Sequence, residues 1–130
     1  LPGKMALQLA RLAAGDVEML FGHVHQMRDG QPVETGARPP VWGRTTLVAR
    51  TDSVRRVGEV RDMPALHGDM IEWIDRARHL GIRMAMMDDV VAIRRVHPAS
   101  LTYRRGGEHG YLTAVKAALD RRRNRAGAGP

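Results

Sequence analysis

The stretch Gly68-Asp69-Met70-Ile71-Glu72-Trp73-Ile74-Asp75-Arg76-Ala77-Arg78-His79-Leu80-Gly81, followed at once by Ile82-Arg83-Met84-Ala85-Met86-Met87, decides the fold class. Met70, Ile71, Ile74 and Ala77 recur at helical spacing, with Asp69, Glu72, Asp75 and Arg76 on the opposite side. The spacing predicts a helix from about Gly68 to His79 with Met70, Ile74 and Ala77 buried, Asp75 and Arg78 in water, and a stop at Gly81. Ile82–Met87 then reads as a strand, Asp88-Asp89 as a turn, and Val90–Val96 as a second strand ended by Pro98. A helix running directly into strands marks an α/β chain rather than a helical bundle.

Upstream, Asp52 or Ser53 is expected to cap a brief helix through Val57, closed by Gly58. Arg44–Ala49 is a short element with an apolar centre, and Val60–Leu66 is loop-like. Arg28–Pro40, with Asp29-Gly30, Pro32, Gly36 and Pro39-Pro40, reads as a long loop with no core signal. Val17–Met27 is a strand in which Val17, Met19, Phe21, His23 and His25 share a side. A first helix begins near Pro2, its apolar face drawn by Met5, Leu9, Leu12 and Ala13, and stops at Gly15-Asp16. Downstream, Leu112, Val115, Ala118 and Leu119 give a last helix from Tyr111 to about Arg123, which is expected to dock by Leu112, Val115 and Leu119. The order predicts a partial mixed sheet flanked by helices, with too few strands to close comfortably on its own. The opening Leu-Pro-Gly-Lys runs straight into a helix without an initiator Met, which reads as an interior piece of a longer protein.

The 130 residues suffice for one modest domain, 43% hydrophobic but only 4% aromatic, and eight methionines fill part of that gap. No cysteine is present, which excludes disulfides and thiolate metal sites and suits a cytoplasmic setting. No run approaches the roughly 20 apolar residues of a membrane span. The net charge of +7 is uneven: residues 1–100 carry 14 Lys/Arg against 12 Asp/Glu, while 101–130 carry seven against Glu108 and Asp120. That basic tail suits an anionic partner or the inner face of a membrane, and equally suits a solvated helix end. Nucleic acid fits poorly, because Trp42, Trp73, Tyr103 and Tyr111 do not interleave with the basic run.

Several segments carry chemistry. Gly68 before a helix lets backbone approach a ligand, and an acid in the first turn sits by unpaired amides and the positive helix end. Asp69 and Glu72, three apart, can face one cleft, where a carboxylate serves as general base. The competing reading makes Asp69 a helix-start acid and pairs Glu72 with Arg76. In Arg94-Arg95-Val96-His97-Pro98, Arg95 and His97 share a strand side fit for a diphosphate or part of a metal shell, or are ordinary surface residues. Trp42-Gly43-Arg44 combines a ring for sugar stacking or core packing with a flexible residue and a cation. His23 and His25 share a face suited to chelation, with no third ligand nearby in sequence.

In order, these segments resemble the second half of bacterial family 2 glycosyltransferases. Leu1–Gln8 resembles the family's W-x-P-x-K-L-x-x-Q stretch, and Val17–Gln26 its next core strand. Gly43–Arg50 with Val54–Gly58 resembles G-x-x-x-x-R-R-x-x-F-x-x-V-G-G-F, with Glu59 and Val60 replacing the last Gly and Phe. Gly68–Gly81 resembles the G-E-D-x-D-W-x-x-R-A-x-x-x-G helix, and Arg94–Ser100 the closing R-x-H-x-x-x-x-S segment. The resemblance covers nearly all of 1–104 and leaves 105–130 as a C-terminal helix and basic tail. It implies the acceptor-side half of the nucleotide-diphospho-sugar transferase fold. The implied reaction is inverting transfer from a nucleotide sugar to an acceptor hydroxyl, with a divalent metal, Mg or Mn. Aligning Trp73 puts Asp69 on the family's Glu position and Met70 on its Asp position. Asp69 is then the better base, since Met takes no proton and Glu72 lies one turn further in. Trp42, Gly43, Arg44, Gly68 and Arg95 are expected to line the substrate site, and by the likeness His97 stands where the family has a His near metal and phosphates. The family's nucleotide-binding strands and metal aspartates lie outside this stretch, so the piece alone is expected to be inactive. A reading from another class is a non-catalytic interaction module docking a partner protein or anionic surface through its tail.

Overall fold

The computed structural model describes residues 1–62 and 68–99, with helical positions 115, 116, 119, 120 and 123 beyond them. The chain is mixed α/β. Its elements are α1 (Lys4–Ala13), β1 (Met19–Arg28), β2 (Val33–Glu34), β3 (Pro40–Val41), β4 (Val48–Ala49), α2 (Thr51–Val57), α3 (Asp69–His79) and β5 (Met84–Val96). β1 is the spine of one open five-stranded sheet: β2, β3 and β4 pair with it antiparallel, and β5 runs parallel to it. Alternate β1 residues enter two cores, as a strand covered on both faces must. Met19 and Phe21 join Val57, Trp73, Ile74, Ala77 and Ile82 on the α2/α3 side. Leu20 joins Leu12 and Val17 on the α1 side. Among the described residues no helix is long and apolar enough to cross a membrane.

Helix α3 forms where expected. Gly68 at φ 94° opens it, and Gly81 at φ 71° closes it with Ile82 N–H on the Ala77 carbonyl (3.1 Å). Its buried face is Trp73, Ile74, Asp75 and Ala77, while Met70 and Ile71 are half-buried and Arg78 is exposed as expected. Asp75 therefore corrects the expectation of an exposed acid. The helix turns its broad Trp73 inward, so that the indole donates to the Gly58 carbonyl (2.7 Å), and this carries the neighbouring positions round with it.

Five further expectations change. The apolar stripe of α1 is not its buried face: Met5 and Leu9 are each 52% exposed, whereas Gln8 and Leu12 are buried. Gln8 donates to the Thr46 carbonyl (2.8 Å), and this anchor rotates the helix by roughly 60° from its apolar stripe. Helix α2 begins behind Arg50 with no side-chain cap, because Ser53 donates to Glu18 instead (2.9 Å). The stretch 28–40 is not featureless, since β2 and β3 pair their backbones along β1. The two expected strands and turn at 82–96 are one strand, β5, whose extra residues around Asp88-Asp89 bulge opposite Gly22. Of the expected last helix, positions 115, 116, 119, 120 and 123 are helical, and Leu119 is exposed rather than docked; Tyr111, Leu112 and the remainder lie outside the described residues.

Gly22 permits that bulge. A Cβ there meets Val91 Cγ2 at 2.7 Å and the Asp89 carbonyl oxygen at 3.1 Å. Gly22→Ala is therefore expected to cost about 1–3 kcal/mol by overpacking. Urea unfolding measures it, and Val91→Ala in the same chain should recover part of the loss.

Glu18, silent in the sequence, ties three elements together. Its carboxylate accepts from Ser53 Oγ (2.9 Å), Arg56 (3.1 Å), and the Arg83 backbone N–H (3.1 Å) and side chain (3.4 Å). The Arg83 amide first, then Ser53, hold its carboxyl below the ordinary glutamate range. Glu18→Ala is expected to cost about 2 kcal/mol near neutral pH, as lost charge-assisted hydrogen bonds do. Because the folded group holds its proton less tightly than the unfolded one, this stabilisation is present above the unfolded pKa. It fades as pH falls through the folded value. The gap between wild type and variant should accordingly narrow in melts run from pH 7 to pH 3.

Candidate functional site

A tight turn brings the first group of side chains together. Gly43 offers its carbonyl to the amides of Thr46 (3.2 Å) and Leu47 (3.1 Å), and the buried Thr46 hydroxyl donates to the Val41 carbonyl (2.5 Å). So fixed, the turn sends Trp42 and Arg44 towards α3. Arg44 forms an ion pair with Asp69, 25 residues away, whose other oxygen accepts from the Met70 amide (2.7 Å). Asp69 occupies the first turn of α3 directly behind Gly68, where the free helix N–H groups favour negative charge. Its side chain is 32% exposed, open enough for a ligand to reach. Trp42 packs on Phe21 with ring centroids 4.7 Å apart, and the Arg78 guanidinium stands 5.4 Å from the Trp42 ring centroid. The segment 42–44 thus lies along α3, with Arg44 at its head and Trp42 towards its tail.

Glu72 points to a different duty. It pairs with Arg76 (3.2 Å), itself anchored on the Glu59 carbonyl (2.7 Å), so its geometry is that of the helix ion pair.

Arg95 and His97 lie elsewhere. They follow the register Met27↔Arg95 at the far end of β1, six residues beyond Phe21 and so roughly 20 Å along the strand. Arg95 is bonded to Asp29 (2.5 Å), and this bond above all holds the Asp29 carboxyl below its ordinary range, with His97 adding to the effect. His97 lines an open pocket of about 350 Å³ with Arg28, Asp29, Val96 and Pro98. As a holder for a divalent ion the set is thin: one imidazole and one carboxylate already engaged by an arginine. Among the described residues no three His, Cys, Asp or Glu side chains gather as a metal site. Nor do His23 and His25 form one; His23 Nδ1 is bonded to the Arg38 carbonyl.

Two participants carried little sequence signal. Arg78 was legible only as an exposed helix residue, and Phe21 only as a strand residue on the side of Val17 and Met19, because their meeting at Trp42 depends on the turn at 43–47. Compared with models of known protein families, with curated proteins and with solved structures, the chain matches none.

Proposed function

We propose that this chain is the acceptor-side part of an inverting glycosyltransferase, acting with a nucleotide-binding half to move a sugar onto an acceptor hydroxyl. The observation that carries the reading is the convergence of Asp69, Arg44 and Trp42 at the head and flank of α3 from segments far apart in sequence. An acid at a glycine-opened helix start, a cation that fixes its rotamer and an aromatic ring alongside are what a hydroxyl-bearing ring needs for orientation and deprotonation. In the reaction the acceptor oxygen forms a bond to the anomeric carbon from the face opposite the leaving group. The anomeric C–O bond to the diphosphate breaks, and the hydroxyl proton passes to Asp69. Arg44 holds the carboxylate towards the acceptor until that transfer.

A divalent ion, Mg or Mn, would neutralise the departing diphosphate. His97 and Asp29 do not make a sufficient ligand set, so no step is assigned to such an ion on these residues. Arg95, taken by Asp29 and distant from Asp69, is left out of the acceptor site.

Titration of the 130-residue chain with nucleotide sugars and Mn²⁺ tests the division of labour. Binding weaker than about millimolar, some 4 kcal/mol, is expected. Micromolar affinity would place the donor site within these residues and overturn the acceptor-side assignment.

A further inference from the structure

The arginines around α3 are mostly committed. Arg44 pairs with Asp69, Arg76 with Glu72, and Arg56 with Glu18. Arg78 differs: among the described residues no carboxylate pairs with it, and its guanidinium instead stands over the ring of Trp42. Trp42 is 39% exposed as a residue, and its ring packs on Phe21 and meets Arg78 from the side of α3. A sugar ring that stacks on Trp42 must therefore share the surface with Arg78 or displace it.

Displacing a cation from an aromatic ring costs binding energy unless the newcomer offers the cation something better. A neutral sugar offers hydroxyls, whereas a carboxylate or phosphate offers a planar or forked anion that the guanidinium engages with two hydrogen bonds. Asp69 is already held by Arg44 and Glu72 by Arg76, so Arg78 is the cation at the Trp42 ring that an incoming anion can engage. Arg78 lies nine steps beyond Asp69 on α3, about 13 Å of helix, a span that a short saccharide rather than a single ring covers. We infer that the acceptor taken by this site is a saccharide bearing an anionic group, carboxylate or phosphate. Its ring lies on Trp42, its anion on Arg78, and its reacting hydroxyl at Asp69. Arg78 is then a specificity residue rather than a catalytic one. The inference rests on the acceptor-site reading above.

The test uses the intact chain labelled with 5-fluorotryptophan, whose two fluorine resonances report Trp42 and Trp73 separately. Trp42→Phe assigns them, and the buried Trp73 (2% exposed) serves as an internal check on the fold. Glucose, glucuronate and glucose 6-phosphate are titrated against wild type and Arg78→Met. The expected result is that an anionic sugar moves the Trp42 resonance at about fivefold lower concentration than glucose, as exposed charge pairing allows. That preference should vanish in Arg78→Met and shrink in high salt, while Trp73 stays still. Whichever of glucuronate and glucose 6-phosphate acts at lower concentration identifies the anion. Equal response to glucose, or a preference that survives Arg78→Met, overturns the role of Arg78 but leaves Trp42 as a sugar platform. If no sugar moves the Trp42 resonance, the acceptor site and this inference fall together.

Discussion

On the proposed acceptor-site reading, Asp69→Asn in the chain paired with a nucleotide-binding half is expected to lower turnover about 10²–10⁴-fold, some 3–5 kcal/mol of barrier, while leaving the fold intact. The substitution keeps the side-chain shape and an oxygen for the Met70 amide, which donates to Asp69 at 2.7 Å. What it removes is the negative charge that pairs with Arg44 and, on that reading, would take the hydroxyl proton. Helix α3 should lose no more than about 1 kcal/mol, the usual worth of an acid in a first turn. Two controls separate chemistry from architecture. Glu72→Gln should have a much smaller effect, because Glu72 is bound to Arg76 at 3.2 Å. Arg44→Met should lower turnover less than Asp69→Asn does, since it frees the carboxylate to turn without discharging it. Steady-state assays on matched preparations decide the matter. Near-normal turnover in Asp69→Asn with loss in Glu72→Gln would shift the base by one turn. Full activity in both would make α3 structural only.

The parts legible in the sequence were those that repeat or break a repeat locally. Helix α3 followed from the spacing of Met70, Ile74 and Ala77, its limits from Gly68 and Gly81, and β1 from the strand pattern beginning near Val17. What failed was whatever a distant partner decides. Gln8 is polar, yet it is fully buried because the Thr46 and Leu20 carbonyls need a donor, and that bond turned α1 away from its apolar stripe. The strands Val33–Glu34 and Pro40–Val41 have two residues each, too few to show a period, and exist because β1 offers a free edge. Asp88-Asp89 read as a turn by local chemistry, but alignment with β1 carries the chain straight through as a bulge over Gly22. The site divides the same way. Asp69 and Gly68 were legible as a helix start, whereas the bridge to Arg44 and the cover of Arg78 over Trp42 are tertiary facts. Separating Arg95 from Asp69 needed the register that sets Arg95 near the end of β1 beside Asp29.

Phe21→Ala should be the most damaging single change to stability, because it empties the place where the main core and the candidate site meet. Phe21 is fully buried on β1 and belongs to the cluster of Met19, Val57, Trp73, Ile74, Ala77 and Ile82. Truncation of a buried Phe costs about 3–5 kcal/mol, the lost transfer energy plus the cavity left behind. Relaxation offers little relief, since Met19, Leu20 and Val24 on the same strand are themselves almost fully buried. A domain of this size holds only about 5–15 kcal/mol in total, so the variant should retain a small margin or none. In urea, with a slope of about 2 kcal/mol per molar, the midpoint should fall by about 2 M. Phe21→Leu keeps most of the volume and should cost about 1–1.5 kcal/mol. The loss should also reach the surface, because Trp42 rests on Phe21 with centroids 4.7 Å apart and carries Arg78 over its ring. With the support gone, the Trp42 ring settles inward and its emission should shift to the blue in the folded variant, while that of buried Trp73 changes less. If Phe21→Ala costs under about 1 kcal/mol, β1 is not the two-faced centre of the sheet, and the turn that presents Trp42 and Arg44 to α3 has another foundation.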